Sequence, residues 1–231
     1  MSEVTYVLED KLKEWFGFET FKRGQKEIIE SILAGKHTLG ILPTGSGKSL
    51  CYQLPTYLIE KPTLVISPLI SLMDDQVMQM KLNGESHVSY IHSGMDEIEK
   101  RNHINQISQS RFIYLSPEFL LQPQNFKLIS HLDFGLIVLD EAHCLSEWGY
   151  DFRPHYALIG QITSHFKNAR ILALTATAPP HLEEDLSHIL SIDLNVIKTS
   201  MNRDNISLQH KNFNDDDEKI KWLIPFLSYS R

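Results

Sequence analysis

The chain has 231 residues, 42% hydrophobic and 10% aromatic, enough for the core of one large domain or two small ones. A formal net charge of −7 and a pI near 5.9 argue against a protein that coats nucleic acid through an overall basic surface. Any nucleic-acid contact must come from a local patch or from backbone N–H groups. No stretch is apolar for long enough to span a bilayer, and the Met1-Ser2-Glu3 start lacks the pattern of a secretory signal. Two cysteines, Cys51 and Cys144, give neither a disulfide framework nor metal-ligand spacing, so a reducing, cytoplasmic setting is expected.

Two helix-like stretches, 7–16 and 24–34, come first. A strand-like apolar run at 38–42 then leads into Leu42-Pro43-Thr44-Gly45-Ser46-Gly47-Lys48-Ser49 and a helix-like stretch at 50–59. Strand, Gly-rich turn, Gly-Lys-Ser and helix is the arrangement that wraps a nucleotide's phosphates. Glycines let backbone N–H groups turn toward the anion, and the helix N-terminus adds its dipole. Thr44 to Ser49 would form the cradle, with Lys48 reaching the outer phosphates of ATP and Ser49 holding Mg²⁺. The strict pattern has Gly five residues before Gly47, where this chain has Leu42. For this segment alone, a Gly-rich turn that merely caps a helix remains an alternative.

Strand-like and helical periods then alternate: strands at 63–67, 88–91, 112–115, 136–140, 171–175 and 195–198, with helices at 70–82, 95–108, 117–121, 156–165 and 180–190. Nearly continuous apolar strands alternating with helices predict an α/β fold, a mostly parallel sheet with helices on both faces. The run Phe134–Leu139 ends in Asp140-Glu141-Ala142-His143. The C-terminal end of such a strand is where parallel sheets bind ligands. Asp140 would hold Mg²⁺ and Glu141 would polarise the attacking water. A bare carboxylate pair after a strand is also a common loop start or helix cap, but here it follows a phosphate loop, and the two halves of one Mg-nucleotide site stand in the right order. With a single His and no spaced Cys or His partners, His143 is not assigned to a metal.

Beyond residue 198 a polar stretch, 199–205, reads as a linker, followed by a strand candidate at 206–211 and a helix candidate at 218–229. These read as the opening of a second domain, giving a division into 1–203 and 204–231.

Taken together, the motifs resemble the first RecA-like lobe of the RecQ group of superfamily-2 DNA helicases, over about residues 6–231. Phe21-Lys22-Arg23-Gly24-Gln25 is similar to the adenine-reading segment of that group. The resemblance implies that Gln25 reads the adenine edge, that Phe18 stacks on the base, and that Lys22 stands where the group more often has Arg. An amide offers a donor and an acceptor together, matching adenine N6 and N7, whereas Lys gives a point charge and not a planar fork. The segment 42–55 (LPTGSGKSLCYQLP) resembles the group's first motif. Segment 67–76, beginning Ser67-Pro68-Leu69, resembles one that faces DNA, as does the turn Ser116-Pro117. Thr175-Ala176-Thr177-Ala178 resembles the motif coupling nucleotide state to DNA, and Thr175 and Thr177 count among the implied DNA contacts. The most diagnostic stretch, 140–156 (DEAHCLSEWGYDFRPHY), resembles the group's aromatic-rich loop, which implies DNA sensing by Trp148 and Arg153, leaves Phe152 open, and gives His143 a relay role.

The resemblance implies an ATP-dependent 3′→5′ DNA helicase acting in recombination or repair, using ATP and Mg²⁺ and contacting single-stranded and duplex DNA, without a membrane. In that group the arginine finger comes from a second RecA-like lobe, which is missing from this chain; the chain alone is therefore expected to bind nucleotide, hydrolyse it poorly and not unwind DNA. The alternatives are an RNA helicase of the Asp-Glu-Ala-Asp type, a non-catalytic nucleotide-gated adaptor and a small-molecule P-loop kinase.

Overall fold

The computed structural model describes residues 3–147, 159–200, 210–213 and 215–228. The chain divides into two compact units, Met1–Ser200 and Met201–Arg231.

In the first unit, α1 (Glu3–Phe16) and α2 (Gln25–Leu33) precede β1 (Thr38–Ile41), α3 (Leu50–Ile59), β2 (Thr63–Ile66), α4 (Ile70–Leu82) and β3 (Val88–Ile91). Then come α5 (Glu97–Gln106), a 3-10 turn at Ile107–Gln109, β4 (Phe112–Leu115), α6 (Pro117–Leu120), α7 (Pro123–Ile129), β5 (Leu136–Leu139) and α8 (His143–Glu147). After residues 148–158, α9 (Ile159–His165), β6 (Arg170–Thr175), α10 (Leu182–Leu190) and β7 (Asn195–Lys198) complete the described elements.

The seven strands form one sheet in the order β3-β4-β2-β5-β6-β1-β7, and every pairing is parallel. Parallel strands covered on both faces need apolar residues at successive positions, and β1, β2, β4 and β5 are buried at all four residues. Alternation divides them between two cores. Ile137 and Leu139 of β5, with Ile113 and Leu115 of β4, face the core built with Leu120, Ile129, Ile159 and Leu186. Leu136, Val138, Phe112 and Tyr114 face the opposite core, shared with Ile28 of α2, Cys51 and Tyr52 of α3, and Val77 of α4. A third cluster seats α1 on α2 and α3 through Leu8, Leu12, Ile29 and Leu54.

The face that carries Ile159 and Leu186 includes a close helix crossing. A Cβ at Gly160 of α9 would lie 2.0 Å from the carbonyl oxygen of Ile189 on α10, so this approach admits only glycine.

Several helix limits differ from those expected. The 95–108 stretch begins at Glu97, where Asp96 accepts from the N–H groups of Ile98 and Glu99 at 2.8 Å each, and it tightens into a 3-10 turn at its end. The single helix expected at 117–121 is α6, and α7 follows it unforeseen, started by Pro123 in its first turn. The expected 156–165 helix lies partly outside the described residues, as does the 206–211 strand.

In the second unit, α11 (Asp216–Ser228) starts earlier than expected, with Asp215 Oδ1 accepting from the Glu218 N–H at 2.8 Å. Phe213 and Trp222 pack with ring centroids 5.6 Å apart, and the Lys211 ammonium lies 5.4 Å from each ring.

Candidate functional site

Because all strands are parallel, their C-terminal ends share one edge of the sheet. That edge gathers the loop after β1, the Ser67–Leu69 turn after β2, Asp140–Glu141 after β5 and the turn after β6. The phosphate-loop segment leaves β1 through the Leu42 N–H donating to the Thr175 carbonyl at 3.0 Å. It closes on itself through Ser46 N–H to Pro43 O at 3.1 Å and enters α3 with Leu50 N–H to Gly47 O at 3.1 Å. Gly45 and Gly47 have φ of +78° and +75°, a region that costs other L-residues strain. A Cβ on Gly47 would in addition come within 2.7 Å of Gln25 Nε2.

Gln25 is buried and braces this loop. Its Nε2 donates to the carbonyls of Ser46 at 2.9 Å and Gly47 at 3.0 Å, and its Oε1 accepts from the Lys22 N–H at 2.8 Å. The Lys22 ammonium donates to Gly45 O at 3.0 Å. Both residues assigned to the base therefore also hold the loop. Phe18 is exposed and lines a groove of about 450 Å³ together with Lys22, Gln25, Gly47, Ser49 and Gln76.

Lys48 extends from the loop to Glu141, its ammonium 3.7 Å from Oε1. Oε2 of the same carboxylate lies 3.3 Å from His143 Nδ1, which is also 3.0 Å from Thr175 Oγ1. Thr175 Oγ1 in turn donates to the Thr177 carbonyl at 2.9 Å and accepts from the Thr177 N–H at 3.2 Å. A continuous polar line thus runs Lys48, Glu141, His143, Thr175, Thr177. Glu141 adopts a left-handed φ of +49°, the kind of strained backbone that clusters at functional sites.

Asp140 is buried and accepts from the Ser67 hydroxyl at 3.3 Å. Burial, and next the neighbouring Glu141 charge, push its carboxyl up to about 6; Lys48 and hydrogen bonds from the Glu141 backbone and Ser67 offset part of this. Two adjacent carboxylates against one ammonium leave an excess of negative charge that a divalent cation would relieve. The Ser46 hydroxyl is buried without a hydrogen-bond partner among the described residues, as suits a loop built to face an oxyanion. The residues present therefore fit a Mg-nucleotide, for which Ser49 and Asp140 would be the groups that hold the ion.

Residues 22–185 match the DEAD/DEAH box helicase family. The chain belongs to this family. Among curated proteins, the chain is 44% identical over 218 residues to the "Probable ATP-dependent DNA helicase RecS" of Bacillus subtilis, covering 94% of this chain and 44% of that protein. It is 44% identical over 185 residues to the ATP-dependent DNA helicase RecQ of Pasteurella multocida, covering 79% of this chain and 29% of that one. The chain thus spans less than half the length of these relatives. Among solved structures, a hypothetical ATP-dependent RNA helicase from Sulfolobus tokodaii superposes with a TM-score of 0.66 at 24% identity, over 86% of this chain and 57% of that one; this likeness shows the shared RecA-like fold.

Within the first unit the residues expected at DNA have different surroundings. Leu69 and Thr177 are exposed. The side chain of Ser67 is buried and serves Asp140. Ser116 is buried and caps α6 by accepting from the Phe119 N–H at 3.3 Å, and Pro117 is buried beside it. Thr175 is buried in the polar line above. With these four side chains buried, any part they play at DNA runs through the backbone or through the groups they position. Trp148 and Arg153, with Phe152, lie outside the described residues. The Ser67–Asp140 and His143–Thr175 contacts had no signal in the sequence, because they depend on strand order. No described helix is long and apolar enough to cross a membrane.

Proposed function

We propose that residues 1–203 form the nucleotide-binding lobe of an ATP-dependent DNA helicase of the RecQ group, acting in recombination or repair with the 3′→5′ polarity that the resemblance implies. Residues 204–231 are the linker and the opening of a second RecA-like lobe. The observation that carries this reading is the approach of Lys48 to Glu141 at 3.7 Å, which brings the phosphate loop and the carboxylate pair to one point.

In this reading Lys48 exchanges Glu141 for the outer phosphate oxygens of ATP, and the loop N–H groups receive the remaining charge. Ser49 and Asp140 would hold Mg²⁺, which when bound would neutralise phosphate charge. Glu141, released from Lys48, orients and deprotonates the attacking water, and His143 keeps it in register with Thr175. Gln25 reads the base only after its amide turns away from the Ser46 and Gly47 carbonyls, and Phe18 closes over the ring. Leu69 and Thr177, with Trp148 and Arg153 as the resemblance implies, contact DNA, locally enough to act despite the acidic net charge.

Among the described residues no arginine pairs with Asp140 or Glu141. An arginine finger is worth about 10³–10⁵ in rate, so hydrolysis by these 231 residues is slow and DNA is not unwound by them alone. ATP turnover with and without single-stranded DNA, with Lys48→Ala as the blank, tests this. Turnover near the blank alongside measurable nucleotide binding is the expected result; strand separation that Lys48→Ala abolishes would overturn it.

A further inference from the structure

Three elements of the first unit meet at a pair of buried phenols. Tyr52 stands on α3, three residues after Ser49. Tyr114 stands on β4, two residues before Ser116. Both rings are almost wholly buried, packed edge to face with centroids 6.5 Å apart, and their hydroxyls are 3.0 Å apart. The Tyr52 hydroxyl donates to Gln76 Oε1 on α4, the helix that follows Ser67–Leu69. The Tyr52 backbone N–H donates to the Ser49 carbonyl at 3.2 Å, at the start of α3.

A phenol has one hydrogen to give. With Tyr52 donating to Gln76, Tyr114 is the donor to Tyr52, yet its hydroxyl also lies 3.2 Å from Met80 Sδ on α4. Tyr114 thus has one hydrogen and two acceptors, which gives the cluster two arrangements in an interior where an unmade hydrogen bond is costly.

We propose that Tyr52 and Tyr114 are positioning residues that couple the nucleotide loop to the two segments expected at DNA, 67–69 and 116–117. The proposal rests on the nucleotide-lobe reading above. Recruiting Ser49 to the nucleotide's cation shifts the first turn of α3, which its carbonyl ties to the Tyr52 N–H. The change then passes through Gln76 to α4 and through Tyr114 to the end of β4. Neither phenol touches nucleotide or DNA; each acts by holding other groups.

Coupling is a ratio of affinities and is reciprocal. The test measures, on the full chain, the Kd of a fluorescent oligothymidine with and without a saturating non-hydrolysable ATP analogue and Mg²⁺, and the Kd of the analogue with and without the oligonucleotide. The unmodified chain is expected to show a ratio of about fivefold or more. Tyr52→Phe keeps the ring and is expected to leave each separate Kd within about twofold while the ratio falls toward one. Tyr114→Phe should act in the same direction, and the double variant should lose no more than the single ones. If Tyr52→Phe does not fold, as judged by circular dichroism, Tyr114→Phe carries the test alone. A variant ratio equal to that of the unmodified chain, or no coupling in the unmodified chain, overturns the proposal and leaves the nucleotide-lobe reading standing. Failure of the unmodified chain to bind the analogue at all overturns that reading, and the phenol link with it.

Discussion

Replacing Asp140 by Asn should stabilise the ligand-free chain at neutral pH. The carboxyl is buried, shares its neighbourhood with Glu141, and is pushed from an ordinary 3.8 up to about 6. At about 1.4 kcal/mol per pH unit, ionising it in the folded chain costs about 3 kcal/mol. The sign follows from proton counting: between about pH 4 and pH 6 the folded chain retains a proton that the unfolded chain has released, so stability falls as pH rises through that window. Asn keeps the volume and an acceptor for the Ser67 hydroxyl and removes the charge. Urea denaturation of both proteins at about pH 4 and about pH 7 isolates the effect as a difference. The comparison matters because other groups slope the other way. Glu85 is opposed by burial, but the His87 N–H, Tyr57 hydroxyl and Arg111 outweigh it and hold its carboxyl below the usual range. The variant should gain about 2–3 kcal/mol at neutral pH and little near pH 4. An equal gain at both pH values, or a loss at neutral pH, would refute the electrostatic account of Asp140.

Gly160→Ala should destabilise by about 1–3 kcal/mol in urea titration, because its methyl would meet the Ile189 carbonyl at 2.0 Å and part α9 from α10; unchanged stability would mean that this crossing yields freely. Gly47→Ala combines a φ of +75° with a Cβ 2.7 Å from Gln25 Nε2. It should weaken nucleotide binding at least about tenfold while costing about 1–3 kcal/mol of stability, read by titration calorimetry and thermal unfolding. In a protein supplied with its second lobe, Glu141→Gln should keep nucleotide affinity and slow turnover about 10²–10⁴-fold, and Lys48→Ala should lose both; equal loss of affinity in the two would reverse the roles assigned.

The strands were legible because burial on both faces demands apolar residues at successive positions, and runs such as Leu136–Leu139 and Phe112–Leu115 admit little else. The phosphate loop and the carboxylate pair were legible as motifs for a chemical reason: close phosphate approach needs glycine, and cation binding needs carboxylate. Strand order was not legible, and so neither was any contact that depends on it. Ser67 reads as the end of a strand in sequence, with nothing to say which strand lies beside it; β2 lies beside β5, and the Ser67 hydroxyl reaches Asp140. His143 meets Thr175 because β5 lies beside β6. The left-handed φ of Glu141 had no local signal, since Glu ordinarily avoids that region. Helix α7 escaped notice because, of its seven residues, only Ile129 is buried, too few to set up a helical period.

Equilibrium titration of this chain with a fluorescent ATP analogue, in Mg²⁺ and in EDTA, tests the central claim most directly. The account predicts saturable one-to-one binding that weakens in EDTA and is lost in Lys48→Ala. No saturable binding, or binding that Lys48→Ala leaves intact, would contradict it.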